Sequence, residues 1–176
     1  VKCLVWDLDD TLWDGVVLEN DDPDPFPAAL ETLNALDKRG ILHAAASRSE
    51  PSVIHRHLTE RGLDDWFCAV RAGWGDKSAA VRRIAETLGI GLDTVAFIDN
   101  DPAERAEVEA ALPMVRCYPA DEVDRLPDRP EFQPEHLTEV ASRRRELYRT
   151  EWQRREVEEE FGADRQAFLA SLDLVM

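Results

Sequence analysis

Lys2-Cys3-Leu4-Val5-Trp6-Asp7-Leu8-Asp9-Asp10-Thr11 decides the fold. Lys2 to Trp6 reads as a buried strand, and it runs straight into three carboxylates. Open parallel sheets bind ligands at the carboxyl ends of their strands, so Asp7 and Asp9 fall where a site is expected. Two acids at i and i+2, leaving a buried strand, repel one another and lose hydration. A bound divalent cation would remove both penalties. An acidic turn or a helix N-cap would account for the same residues.

Working outward, apolar runs of strand length alternate with helical patterns, which predicts a parallel sheet covered by helices. A helix is expected over 26–39, with Pro27 in its first turn, Leu30, Leu33 and Leu36 on one face, and Gly40 after its end. Strands follow at 41–46, 66–70, 94–98 and 115–118. Helices lie between them at 51–61, 77–88 and 102–112. Residues 1–118 are thus expected to form one α/β core, the part of the chain that holds the carboxylates of any active site. Beyond them, 119–136 is rich in Pro, Asp and Glu and reads as an irregular crossing segment. Leu137, Val140, Leu147, Tyr148 and Trp152 then recur at helical spacing, opposite a face holding Arg143, Arg144, Arg145, Arg149, Arg154 and Arg155. A last helix is expected over 164–172. The whole of 119–176 is expected to pack on the same domain.

Composition narrows the function. The 176 residues carry 37 acidic and 21 basic side chains, a net charge of −16. This argues against a nucleic-acid or anionic-membrane binder, both of which need a clustered positive footprint. No apolar run approaches the ~20 residues that span a bilayer. Val1 opens the chain without a basic flank or cleavage site, so no signal peptide is expected, and the missing initiator Met points to a piece of a longer protein. Three cysteines without metal spacing (Cys3, Cys68, Cys117) fit a reducing cytoplasm.

Three more elements stand at strand ends. Ser47 closes the second strand, Lys77 opens a helix, and Asp99-Asn100-Asp101 closes the fourth strand. Singly, Ser47 could cap a helix, Lys77 could be solvated, and Asp101 could cap the helix starting at Pro102. Yet a lysine in a first turn opposes the helix dipole. The chain also has only three lysines against eighteen arginines, so Lys77 is not its default cation.

Asp7-x-Asp9-x-Thr11, then Ser47, then Lys77, then the Asp99 cluster resemble, in order and spacing, the haloacid dehalogenase (HAD) superfamily of phosphotransferases. The resemblance implies a three-layer Rossmann-like α/β fold with a central parallel sheet. Asp7 would be the nucleophile that forms an aspartyl-phosphate, and Asp9 the general acid and then base. Mg²⁺ would be held by Asp7, the Asp9 carbonyl and Asp99, with Asn100 and Asp101 behind them. Ser47 and Lys77 would hold the phosphoryl oxygens, and Thr11 would brace the loop. Arg48 would contact a phosphate or merely solvate its loop. Between Thr11 and Ser47 lie 35 residues, and between Ser47 and Lys77 only 29, too few in either gap for a cap domain.

Val5-Trp6-Asp7-Leu8-Asp9-Asp10-Thr11-Leu12-Trp13-Asp14-Gly15, Trp74-x-x-Lys77 and Phe97-Ile98-Asp99-Asn100-Asp101-Pro102-Ala103-Glu104-Arg105 resemble the FkbH-like family of the capless branch. So do Leu137-Thr138-Glu139 and Phe168-Leu169-Ala170-Ser171-Leu172. That family takes a glyceryl group from 1,3-bisphosphoglycerate, removes its phosphates and loads it on an acyl carrier protein, toward methoxymalonyl-type polyketide extender units. Two positions depart from it: Asp10 stands where Asn is usual, and Asp99-Asn100-Asp101 replaces Asp-Asp-Asn. A plain Mg²⁺-dependent phosphomonoester hydrolase is the alternative, and a non-catalytic docking domain is a third. No cysteine is assigned as an acyl carrier: Cys3 lies ~13 Å back along the strand from Asp7. The four histidines are expected in core or surface roles. Trp13 and Trp74 are expected either at the pocket mouth or in the core. The arginine-rich face could meet an acidic carrier, but alternating Arg and Glu fit a solvated face better.

Overall fold

Side chains along a strand point alternately to opposite faces, and the first strand shows how that builds both layers of this protein. In β1 (Cys3–Trp6) every residue is buried. Leu4 and Trp6 enter the core on one face of the sheet, whereas Cys3 and Val5 enter that on the other. The structure is a computed structural model that describes residues 1–17, 22–134 and 143–154.

The elements follow as α1 (Pro27–Lys38), β2 (Leu42–Ser47), α2 (Pro51–Glu60), β3 (Ala69–Ala72), α3 (Lys77–Leu88), β4 (Val95–Asp99), α4 (Pro102–Ala111) and β5 (Arg116–Pro119). The five strands pair in the order β3-β2-β1-β4-β5. Every pairing is parallel, with Val5 opposite Ala44 on one side and Phe97 on the other. Strand order reverses at β1, where chains leaving toward opposite faces open a crevice beyond the carboxyl ends of β1 and β4. Leu33 and Leu36 of α1 with Ile54 and Leu58 of α2 cover one face. Val81, Ile84 and Leu88 of α3 with Val108 of α4 cover the other. Among the described residues, neither gap around Ser47 holds a separate domain.

The third strand lies further along than the 66–70 expected. Asp64–Trp66 is a 3₁₀ turn, and the strand is set by Ala44–Ser47 pairing with Ala69–Ala72. The crossing segment holds 3₁₀ turns at Ala120–Asp128 and Pro130–Phe132, anchored by fully buried Leu126 and Phe132. Residues 144–154 form a helix, α5. Tyr148 and Trp152 pack on the α3–α4 face, but Leu147, expected beside them, is exposed. The arginine face corrects the solvated reading. Arg145 stacks 4.4 Å over the Trp66 ring and pairs with Asp37 at 3.4 Å. Arg149 binds the Asp64 carbonyl and Asp65, the latter at 3.1 Å, and Arg144 reaches the Gly40 carbonyl at 3.4 Å. Three of the arginines therefore fasten α5 to the sheet domain. Leu137, Val140, Arg155 and the helix expected over 164–172 lie outside the described residues. Among the described residues, no helix is long and apolar enough to cross a membrane.

Candidate active site

The chain bends as it leaves β1. The Leu8 carbonyl accepts from the amides of Thr11 (3.1 Å) and Leu12 (2.9 Å), and Asp10 takes a left-handed conformation with φ 57°. Aspartate tolerates that region better than most residues. The Asp10 carboxylate is spent locally, accepting from the Gly15 amide at 3.0 Å. This tight turn leaves Asp7 and Asp9 facing a cleft of about 220 Å³ that Ser47, Ser49, Lys77, Asp99 and Asn100 also line.

Lys77 is the centre of charge. It begins α3, yet only 4% of it is exposed, because its side chain turns under the ends of β1 and β2. Its ammonium donates to Asp7 Oδ1 at 2.5 Å and to the Ala46 carbonyl at 2.8 Å, and lies 3.4 Å from Asp99 Oδ2. Thr11 Oγ1 donates to Asp7 Oδ2 at 2.8 Å and accepts from the Asn100 amide at 3.1 Å. The Asn100 side chain, with its amide nitrogen toward the carboxylates, donates to Asp7 Oδ2 at 3.0 Å and Asp99 Oδ1 at 3.2 Å. Asp101 takes its capping role, its carboxylate accepting from Ala103 N at 2.8 Å, while its own amide donates to Asp99 Oδ1 at 2.9 Å.

One lysine does not offset two buried carboxylates. Burial pushes the Asp7 carboxyl up to about 6, against the pull of Lys77 and with the added push of Asp99. Burial likewise raises Asp99, with Lys77 again opposing. Asp99 Oδ2 is buried and accepts no hydrogen bond. Buried carboxylate oxygens are normally hydrogen-bonded, so one with only the Lys77 ammonium at 3.4 Å, beside a second acid, fits a hard cation. The donor set matches: carboxylates from Asp7 and Asp99, with the Asp9 carbonyl as the third protein oxygen the sequence resemblance implies.

Asp9 is held by residues that sequence reasoning did not assign. Trp13 Nε1 donates to its Oδ1 at 2.8 Å, joined by the Val17 amide at 3.3 Å, and Ser49 Oγ donates to Oδ2 at 3.0 Å. Trp13 is fully buried and still touches the site, so neither of its two expected readings was complete. Trp74 is 96% exposed at the rim. Ser47 is buried at the end of β2, with its Oγ accepting from the Ser49 amide at 3.1 Å. Arg48 pairs with Glu104 at 3.1 Å and donates to the Gly75 carbonyl at 3.1 Å, fastening its loop to the next one. The structure thus brings Asp7, Asp9, Ser47, Arg48, Lys77, Asp99, Asn100 and Asp101 into one cleft, with Thr11 bracing Asp7 from outside its wall.

Other titratable groups stand apart. His43 is a core residue that accepts from Trp6 Nε1 at 3.0 Å, with Nε2 3.1 Å from the Leu33 carbonyl; burial holds it down at about 3. Burial raises all three thiols, Cys3 well above its usual value and Cys68 and Cys117 to about 12.

No protein-family model matches the chain, and no curated protein matches it. Solved structures do. The N-terminal part of a Bacteroides fragilis protein, containing a phosphatase domain complexed with Mg, is 29% identical, with a TM-score of 0.64 over 80% of this chain and 41% of that one. The present chain therefore spans less than half of that structure's length. The cobalt-bound deoxy-D-mannose-octulosonate 8-phosphate phosphatase of Haemophilus influenzae is 17% identical, covering 66% of this chain and 68% of that one, with a TM-score of 0.52. A HAD-superfamily hydrolase of subfamily IA from Geobacter sulfurreducens is 13% identical, covering 72% and 99%, with a TM-score of 0.56. At these lower identities the likeness concerns the fold, which is the HAD-like Rossmann α/β architecture with a helix, α5, following the sheet domain.

Proposed function

We propose that this chain is a Mg²⁺-dependent phosphatase of the HAD type, working through a phosphoaspartate on Asp7. The observation that carries the proposal is the buried Lys77 ammonium on Asp7 Oδ1 beside the unsatisfied Asp99 Oδ2. Bound Mg²⁺ would supply positive charge against the phosphoryl oxygens and the two carboxylates. Asp7 Oδ attacks phosphorus in line; the P–O bond to the leaving group breaks as Asp9 delivers its proton to that oxygen. Water then attacks the phosphoaspartate, Asp9 takes its proton, and Asp7 is released with inorganic phosphate. Lys77 and Ser47 hold the phosphoryl oxygens, while Thr11 and Asn100 fix the nucleophile.

As the finer identity we propose the FkbH type, acting on 1,3-bisphosphoglycerate and an acyl carrier protein. Its support is the sequence likeness around Asp7, Lys77 and Asp99, together with a cleft no inserted domain covers among the described residues. The thiols bear on the transfer step. With Cys3, Cys68 and Cys117 all raised by burial, none is poised as an acyl carrier. The carrier's own thiolate would then attack the acyl carbon of 1,3-bisphosphoglycerate directly, breaking its C–O bond and expelling inorganic phosphate, and Asp7 would remove the remaining 3-phosphate. A plain phosphomonoesterase, which needs no thiol at all, is the second reading.

Intact-protein mass spectrometry separates them. The chain is incubated with Mg²⁺, fresh 1,3-bisphosphoglycerate and a carrier protein, with Asp7→Asn as control. A glyceryl adduct on the carrier that requires Asp7 supports transfer. Asp7-dependent phosphate release without an adduct leaves the phosphatase alone. Phosphate release that persists in Asp7→Asn, or none from any phosphoester, refutes catalysis at this site.

A further inference from the structure

The surroundings of the cleft are electrically lopsided. On the β5 side lies a cavity of about 640 Å³ lined by Asp10, Asp121 and Asp124, with apolar Phe26 and Val123. Its one arginine, Arg105, is occupied, donating to the Asp99 carbonyl at 2.7 Å. On the β3 side lies a smaller cavity of about 170 Å³ whose wall includes Arg48, Arg71 and Trp74. It shares Ser47, Arg48 and Lys77 with the cleft over Asp7, so the two adjoin along that wall.

Arg71 is the unexplained residue. It sits in β3 opposite Ala46, whose carbonyl binds Lys77, and on the sheet face that α3 covers. It is half-buried, in a chain carrying 37 acidic side chains, yet among the described residues its guanidinium makes no hydrogen bond or ion pair. The carboxylate among the described wall residues, Asp76, is paired with Arg48 at 3.7 Å and largely exposed. A guanidinium is a planar fork of donors suited to carboxylate or phosphate oxygens. Leaving it unpaired beside a phosphoryl site gains the fold nothing.

We infer that the β3-side cavity is an anion subsite read by Arg71, and that the preferred phosphoester carries a second oxyanion on its leaving group, a carboxylate or a second phosphate. The inference rests on the phosphatase reading of Asp7. The leaving group then extends toward β3, and the acidic β5-side cavity repels its charged end.

Three probes test it: glycerol 3-phosphate, 3-phosphoglycerate and glycerol 1,3-bisphosphate, which end in a hydroxymethyl, a carboxylate and a phosphate. The wild type should favour one or both oxyanion-ended probes in kcat/KM by about 10- to 100-fold, the worth of one charged hydrogen-bonded contact. Which one it favours identifies the oxyanion. Arg71→Gln should collapse that ratio and Arg71→Lys restore part of it; any loss of folded enzyme lowers all three probes alike. A wild type without preference, or a ratio untouched by Arg71→Gln, overturns the subsite. Calorimetric binding of 3-phosphoglycerate and glycerol 1,3-bisphosphate to Asp7→Asn, with and without Arg71→Gln, needs no turnover. Weakening by Arg71→Gln with no hydrolysis by the wild type would retain the subsite and refute the phosphatase reading. Binding that is undetectable, or equal in both variants, refutes the subsite.

Discussion

Removing the Asp7 charge should stabilise the metal-free protein at neutral pH relative to acid, although it abolishes activity. The Asp7 carboxyl lies near 6 in the folded chain against 3.8 for an unperturbed aspartate. Between about pH 4 and pH 6 the folded chain therefore keeps a proton that the unfolded chain has lost, and stability falls as pH rises. A separation of about 2 pH units corresponds to roughly 3 kcal/mol, lost by pH 7. Asparagine cannot ionise, so Asp7→Asn escapes the fall. Its Lys77 keeps the Ala46 carbonyl and Asp99 as partners. Urea denaturation in EDTA from pH 4 to pH 8 measures both proteins. The wild-type curve should drop against the variant's by about 3 kcal/mol across that window. Any pH-independent cost of the substitution cancels in the comparison. Saturating Mg²⁺ should reverse the drop in the wild type and leave Asp7→Asn nearly unmoved. Parallel curves in EDTA would refute the account of Asp7 as an ionised group held at a cost.

Mg²⁺ competes with the Asp7 proton, so its affinity should weaken as pH falls below about 6; titration calorimetry at pH 5, 6 and 7 measures this. Lys77→Met leaves Asp7 and Asp99 facing one another without a cation and should cost the metal-free fold about 3–5 kcal/mol by urea denaturation, with phosphatase activity lost. Trp13→Phe keeps the packing but removes the indole donor from Asp9; kcat should fall by about tenfold with KM held, by steady-state kinetics. Arg145→Ala removes the stacking on Trp66 and the Asp37 pair at a cost of about 1 kcal/mol, and amide exchange should quicken over 144–154 while the sheet is unchanged.

The sheet was legible because its first four strands are short, mostly apolar runs ended by carboxylates, a hydroxyl or glycine, and Lys77–Leu88 emerges with the bounds its spacing predicted. The third strand was misplaced because Trp66 is as apolar as a strand residue. Only the parallel partner β2 and the stacking of Arg145 decide that Trp66 lies in a turn. The residues around Asp7 could be seen in advance because their chemistry is costly without a ligand. Trp13 and Ser49 could not be, because their contacts with Asp9 depend on the path of a turn that carries no period. Arg145 and Arg149 were hidden for another reason: an arginine that reaches inward has the same spacing as one that reaches water.

The reversal of strand order at β1 also has a consequence during biosynthesis. β1 is made before its two neighbours, yet β4 is completed only at Asp99. At about 5–20 residues per second, its β4-facing edge stays open for roughly 5–20 s on the ribosome. Throughout that interval a fully apolar strand offers unpaired amides to any other nascent chain. Asp7 is spared its crowding until Asp99 arrives, so the last inner strand both closes the edge and brings the two carboxylates together.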